Sequence, residues 1–206
     1  GVTTGGEAVA VKAGTDWATL SQDLIYGPLG MTSTSSRYVD FERRADRAVG
    51  HIKEVDKWVK TPIPRDPDAQ SPAGGVSSNV NDMATWLKMV LAQGKHNGQE
   101  VVAPDALLPA LSPQIVSSPP QTPDNRAGSD GYGFNVGVTE DARTQFNHAG
   151  AFASGAAPRP SVIAVAVSTA ATRPSFHVIP RYPLRFPKFT CATFVTCVTQ
   201  ETITPR

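Results

Sequence analysis

Proline fixes φ near about −65° and has no amide hydrogen, so its placement decides where helices and ladder-paired strands cannot run. This chain carries 18 prolines in 206 residues, about twice ordinary usage, and distributes them unevenly. None precedes Pro28. Pro62, Pro64, Pro67 and Pro72 crowd one run, Pro119, Pro120 and Pro123 a second, and Pro174, Pro180, Pro183 and Pro187 a third. Regular structure must be sought between these clusters.

The proline-free start reads as two short helices, one containing Ala8, Val9 and Val11, the next Trp17, Leu20 and Leu24 at helical spacing. Gly14 ends the first. Thr15 or Asp16 offers a side-chain oxygen to the free first-turn amides of the second, and Pro28 stops it. A charge-rich segment with Phe41-Glu42-Arg43-Arg44 follows, then AVGHIKEVDKWVKTP, expected as a short hairpin about Val55-Asp56. The run TPIPRDPDAQSPAGGVSS is expected to be loop. The strongest pattern comes next: Val80, Met83, Leu87, Val90 and Leu91 form an apolar helical stripe, with Ser78 or Asn79 as cap and Gly94 just past the end. Residues 104–111 suggest a helix opening on Pro104, and SSPPQTPDNRAGSD a linker. YGFNVGVTEDARTQFNHAG then reads as two strands joined near Glu140-Asp141, and SVIAVAVSTA as a buried third. Helices followed by a strand meander give an α+β class.

With 40% hydrophobic and 18% charged residues, the chain supports one core, or a core with a satellite. Its net charge of +1 gives no field to hold nucleic acid or an anionic membrane, so neither partner is expected. No window reaches the length of a membrane-spanning helix, and GVTTGGEAVA lacks the regions of a signal peptide, so localisation is not legible. Cys191 and Cys197 make no disulfide framework and no CxxC pair.

Chemistry-bearing motifs are few. Gly75-Val76-Ser77-Ser78-Asn79 lacks the last glycine of a G-x-S-x-G turn, and Ser77 and Ser78 are better explained as the start of a helix. The histidines at 51, 96, 148 and 177 form no zinc-type spacing, so no metal is expected, and no cofactor. Gly131-Tyr132-Gly133 opens a strand rather than a nucleotide loop, with Tyr132 packing on the sheet. One string stands out, Phe146-Asn147-His148-Ala149-Gly150-Ala151-Phe152-Ala153-Ser154-Gly155. An ionisable residue beside small residues at a strand end suits a substrate edge, because glycine lets a ligand approach the backbone. An exposed histidine ending a strand is the plainer alternative.

Taken in order, WATLSQDLIYGPLGM, AVGH, SPAGGVSSNVNDMATWLKMVLAQGK, GYGFNVGV and FNHAGAFASGAA resemble the second half of a serine hydrolase family. That family holds class C β-lactamases, D-alanyl-D-alanine carboxypeptidases and related esterases. The resemblance covers residues 1–157. It implies part of a β-lactamase/transpeptidase-like fold, an antiparallel sheet flanked by helices, incomplete here. Residues 1–171 would form the C-terminal part of that domain, and 172–206 an atypical proline-rich basic tail.

The resemblance also implies a reaction: a serine in S-x-x-K attacks an amide or ester carbonyl of a small-molecule or peptide substrate, and water hydrolyses the acyl-enzyme. His148-Ala149-Gly150 would be the family's third box, K-T-G or H-x-G. His148 would orient substrate or assist proton traffic. Gly150 and Ala151 would complete the catalytic edge, the Ala151 amide donating to the oxyanion, where one donor is worth roughly 3 to 4 kcal/mol. Ala149 and Tyr132 would border the substrate. No serine here lies in S-x-x-K, however, and Tyr26, Tyr38, Tyr132 and Tyr182 all lack Y-x-N. Gly1 and Gly6 match the glycines that follow the family's tyrosine motif, so the chain is expected to start just beyond it. Two alternatives stay open: a non-catalytic module binding peptide or acyl ligands around His148, and a different hydrolase using Ser77 or Ser154 with His148.

Overall fold

The computed structural model describes residues 1–62, 64–139, 143–150 and 161–166. They divide into two compact units, Gly1–Trp86 and Leu87–His148, most of the last strand belonging with the second.

The first unit opens with α1 (Val2–Ala13), closed by Gly14 in the left-handed conformation (φ 74°). Its valines do not make the core: Val2, Val9 and Val11 are exposed, and only Ala10 is buried. The packing face is made instead by small residues one turn apart. Gly6 meets the Pro72 ring so closely that a β-carbon there would overlap Pro72 Cβ and lie 3.3 Å from Trp17 Cε3.

Asp16 caps α2 (Trp17–Ser21), its carboxylate accepting from the Thr19 amide at 3.0 Å and the Thr19 hydroxyl at 2.7 Å. The helix continues through a π-helical turn (Gln22–Tyr26) into α3 (Gly27–Leu29). Pro28 therefore does not stop it. Pro28 sits at the start of α3, just after that π-helical turn, and Gly30 (φ 67°) ends the run.

After α4 (Tyr38–Glu42), strands β1 (His51–Glu54) and β2 (Lys57–Lys60) form the expected hairpin, with Val55 at its turn in positive φ (54°). The proline run that follows is not all loop. It holds a 3₁₀ turn (Asp68–Gln70) and α5 (Ser71–Gly74), since a proline in the first turn of a helix costs no hydrogen bond. Helix α6 (Val80–Leu91) stands where the stripe puts it, with Asn79 Oδ1 accepting from the Asp82 amide at 2.8 Å. Asn79, not Ser77 or Ser78, is thus the cap. Met83, Trp86, Met89 and Val90 are buried on its inner face.

The second unit contains a two-stranded ribbon, β3 (Lys95–His96) with β4 (Gln99–Glu100), and α7 (Pro104–Leu111). Five strands follow in the sheet order β5-β6-β7-β8-β9. These are β5 (Ile115–Ser118), β6 (Gly128–Asp130), β7 (Asn135–Val138), β8 (Thr144–Gly150) and β9 (Ser161–Ala166). The first four pair antiparallel in succession. The segment expected as a linker thus contains β6 and the end of β5. Every residue of β5 is exposed, so it has no apolar alternation to betray it.

Two experiments check this packing. Gly6→Ala gains helix propensity but drives a methyl into a rigid ring, and is expected to lower stability by a net of roughly 1–2 kcal/mol. Gly5→Ala meets open space and should raise stability by roughly 0.5–1 kcal/mol; denaturant melts of both variants decide. The Thr19 hydroxyl, then its amide, then Arg37 hold the Asp16 pKa down to about 2. That share of stability is complete above the unfolded carboxyl range and disappears as pH falls from about 4 toward about 2. Asp16→Ala should cost about 1 kcal/mol at neutral pH and flatten this acid limb, whereas Asp16→Asn keeps the cap.

Candidate functional site

The candidate residues sit on β8 and on the turn before β7. In β7 and β8, Val136 faces Phe146 and Asn135 faces Asn147 across the ladder. Phe134, Val136 and Phe146 are buried, and the Phe134 and Phe146 rings meet edge to face with centroids 6.1 Å apart. That aromatic contact anchors β8 beneath its last residues. Strand side chains alternate between faces, so His148, two residues beyond Phe146, lies on the same face.

His148 is half-buried, and its Nδ1 is buried without a hydrogen-bond partner among the described residues. Burial disfavours the charged ring and lowers its pKa from the ordinary 6.5. At neutral pH the imidazole is therefore uncharged, with one nitrogen a donor and the other an acceptor. A buried polar atom left unpaired costs about 1–3 kcal/mol, a cost tolerated most readily where a group from outside completes the bond. Ala149 and Gly150 continue β8 to its end. His148, Ala149 and Gly150 are thus consecutive on one strand terminus, while Ala151 and Ser154 lie outside the described residues.

Tyr132 is placed differently from expectation. It does not pack on the sheet but is 69% exposed, in a turn closed by the Gly131 amide donating to the Phe134 carbonyl at 2.8 Å. The turn delivers Phe134 inward, and that ring takes the buried position. Ser77 is 8% exposed and is consumed by structure. Its amide and carbonyl form a two-way bridge with Ser35 (2.8 and 2.9 Å), and its hydroxyl donates to the Ser35 carbonyl at 3.4 Å.

The residues missed by reading the sequence are those that build the first unit's polar interior. The run Thr32-Ser33-Thr34-Ser35-Ser36 was its only signal. Thr34, Ser35, Ser36, Ser71, Ser77 and Asp82 are all buried. Asp82 Oδ2 accepts from the Ser33 amide at 2.7 Å and the Thr34 hydroxyl at 2.8 Å. Ser71 donates to the Ser36 carbonyl at 2.7 Å, and the Ser36 hydroxyl lies 2.8 Å from that of Tyr26.

Comparison with known proteins follows the same lines. A model of the Beta-lactamase family matches residues 2–184. Among solved structures, a class C beta lactamase from Rhodobacter sphaeroides superposes with a TM-score of 0.55 at 18% identity, over 80% of this chain and 50% of that one. An octameric penicillin-binding protein homologue from Pyrococcus abyssi gives 0.54 at 22%, over 68% and 29%. A D-stereospecific amidohydrolase from Streptomyces sp. gives 0.52 at 15%, over 74% and 41%. These identities establish fold alone, and the chain spans half or less of each structure's length. No curated protein sequence matches it. With the family model covering most of the chain and its helices and antiparallel sheet matched in part by these structures, the chain belongs to the β-lactamase family of serine hydrolases.

Proposed function

We propose that this chain carries the sheet-edge portion of a β-lactamase-related serine hydrolase that acts on amide or ester carbonyls through an acyl-enzyme. By itself it does not turn over substrate. The observation that carries this reading is the neutral His148 near the end of β8, its Nδ1 buried and without a partner among the described residues. An uncharged imidazole there accepts or donates a proton at the substrate edge. Gly150, with no side chain, allows the carbonyl to approach, and Ala151 would supply a backbone donor to the developing oxyanion. The partner is a small-molecule or peptide substrate. What the chain lacks is the family's nucleophile motif, since neither S-x-x-K nor Y-x-N occurs in its 206 residues. On this reading residues 1–171 belong to the hydrolase domain and 172–206 are a separate tail, which lies outside the described residues, as do Cys191 and Cys197.

The missing motifs also favour a second reading, a module that binds peptide or acyl ligands at the same edge without chemistry. Saturable, unproductive binding of a D-alanyl-D-alanine peptide would support it.

Incubation with a fluorescent β-lactam and with a fluorophosphonate, followed by intact-mass measurement, is expected to leave the chain unlabelled. Stoichiometric acylation of any serine would overturn the inactive reading. A ¹H–¹³C NMR titration should place the His148 midpoint below 6.5. The unfolded histidine then holds a proton that the folded one does not, so stability falls as pH drops from 6.5 through the folded midpoint. His148→Gln should remove this contribution to the pH slope.

A further inference from the structure

The β3–β4 ribbon turns through Asn97-Gly98, the one Asn-Gly pair in the sequence. Both residues have positive φ, 50° and 81°, as a tight hairpin turn requires and as this pair adopts most cheaply. Both are exposed, and a β-carbon on Gly98 would meet nothing within 4 Å. The Gly98 amide makes no hydrogen bond among the described residues. Beside them, Asn97 Nδ2 lies 3.0 Å from Nε2 of the half-buried His96.

These are the conditions for an asparagine to react with its own backbone. A five-membered ring closes when the next residue's nitrogen bonds to the side-chain Cγ, and glycine leaves that approach unshielded. In the closed turn the nitrogen must swing round to reach Cγ. The ribbon permits this, since its ladder has two residue pairs, Lys95 with Glu100 and His96 with Gln99, and no third strand. Its base is fastened by the Val101 amide donating to the Gly94 carbonyl at 2.8 Å, while the tip has no such tie. An isolated two-stranded hairpin is marginal in water, so local opening costs little. Asp130-Gly131 shows the contrast. Its glycine amide is committed to the Phe134 carbonyl at 2.8 Å, and a β-carbon on Gly131 would overlap the Ala110 carbonyl. Asp130 is paired in β6 and accepts from Asn135 Nδ2 at 2.7 Å. Every other asparagine is followed by a residue with a side chain.

We propose that Asn97 is a self-modification site, losing its side-chain amide to attack by the Gly98 nitrogen with His96 as proton donor. The N–Cγ bond forms and the Cγ–Nδ2 bond breaks. In the tetrahedral adduct Nδ2 is an amine, and the adjacent imidazole gives it the proton with which it leaves as ammonia. The Gly98 amide proton passes to solvent, from which the imidazole is reprotonated. Water then opens the succinimide to aspartate or isoaspartate, so the net change is amide and water to carboxylic acid and ammonia. Isoaspartate lengthens the backbone at the ribbon tip by a carbon, and either product adds a negative charge there. Nothing in this depends on acyl-enzyme chemistry or on His148, so this reaction and the hydrolase reading stand or fall separately.

The test incubates the full chain in mildly alkaline buffer and follows it by peptide mass mapping, for the exchange of NH₂ for OH, and by isoaspartyl methyltransferase labelling. Asn97 is expected to convert at least roughly tenfold faster than any other asparagine, while Asp130 stays free of isoaspartate. His96→Gln should slow the conversion at least roughly threefold. Free imidazole should restore the rate in that variant while barely changing the native chain, a rescue that a merely altered turn would not show. The proposal is overturned if Asn97 converts no faster than another asparagine, if Asp130 yields isoaspartate as fast, or if His96→Gln reacts at the native rate or is not rescued.

Discussion

The first unit depends on one buried carboxylate. Asp82 is 8% exposed, a position an anion occupies only when hydrogen bonds replace its water. The Ser33 amide and the Thr34 hydroxyl supply them. Because the Thr34 hydroxyl has a single proton and gives it to Asp82, the Ser78 hydroxyl 2.7 Å away must be the donor in their contact. The result is a relay from Ser78 through Thr34 to Asp82, ending in the first turn of α6, where the helix dipole also favours negative charge.

The rest of the unit is ordered from this point. Once Ser33 and Thr34 are fixed, Ser35 bridges Ser77, and its hydroxyl donates to Asp40 in α4 at 2.7 Å. Ser36 reaches Ser71 and Tyr26, and Arg37 donates to Asp16 and Thr19 at the start of α2. Each of these bonds has a direction as well as a distance, so together they specify how the short helices α2 to α5 meet α6. Apolar burial alone would not, because several of these helices are too short to present a continuous stripe. The second unit is organised by different means, a laddered sheet with the Phe134–Phe146 contact beneath its β7–β8 pair.

Sequence legibility follows the same division. Elements governed by local periodicity were readable: α6 by its apolar stripe, α2 by Asp16, and the β1–β2 hairpin by apolar residues flanking Val55-Asp56. Pro28 and Pro72 misled because proline forbids a helix interior yet suits a first turn, and which applies depends on neighbours that composition does not show. Strand β5 was hidden by being exposed on both faces. The Ser33–Asp82 bond joins residues 49 apart and has no sequence signature beyond a run of hydroxyls that equally describes a loop. At the site, the string around His148 stood out by an ionisable residue beside small ones at a strand end, and the family resemblance strengthened it. The burial of His148, and an Nδ1 without a partner among the described residues, arise from three-dimensional placement, which no spacing rule supplies.

That 49-residue separation also bears on how the unit assembles. Closing a loop of that length costs roughly 3.4 kcal/mol of chain entropy beyond a constant term. The hairpin, by contrast, closes over only a few residues. Hairpin and helical turns therefore form early, and the Asp82 contacts form late, when the intervening chain is already partly condensed. Helix α4 and the hairpin lie inside this one loop. Their mutual arrangement is accordingly among the last features to be set as the chain folds, and among the first to be released when Asp82 lets go.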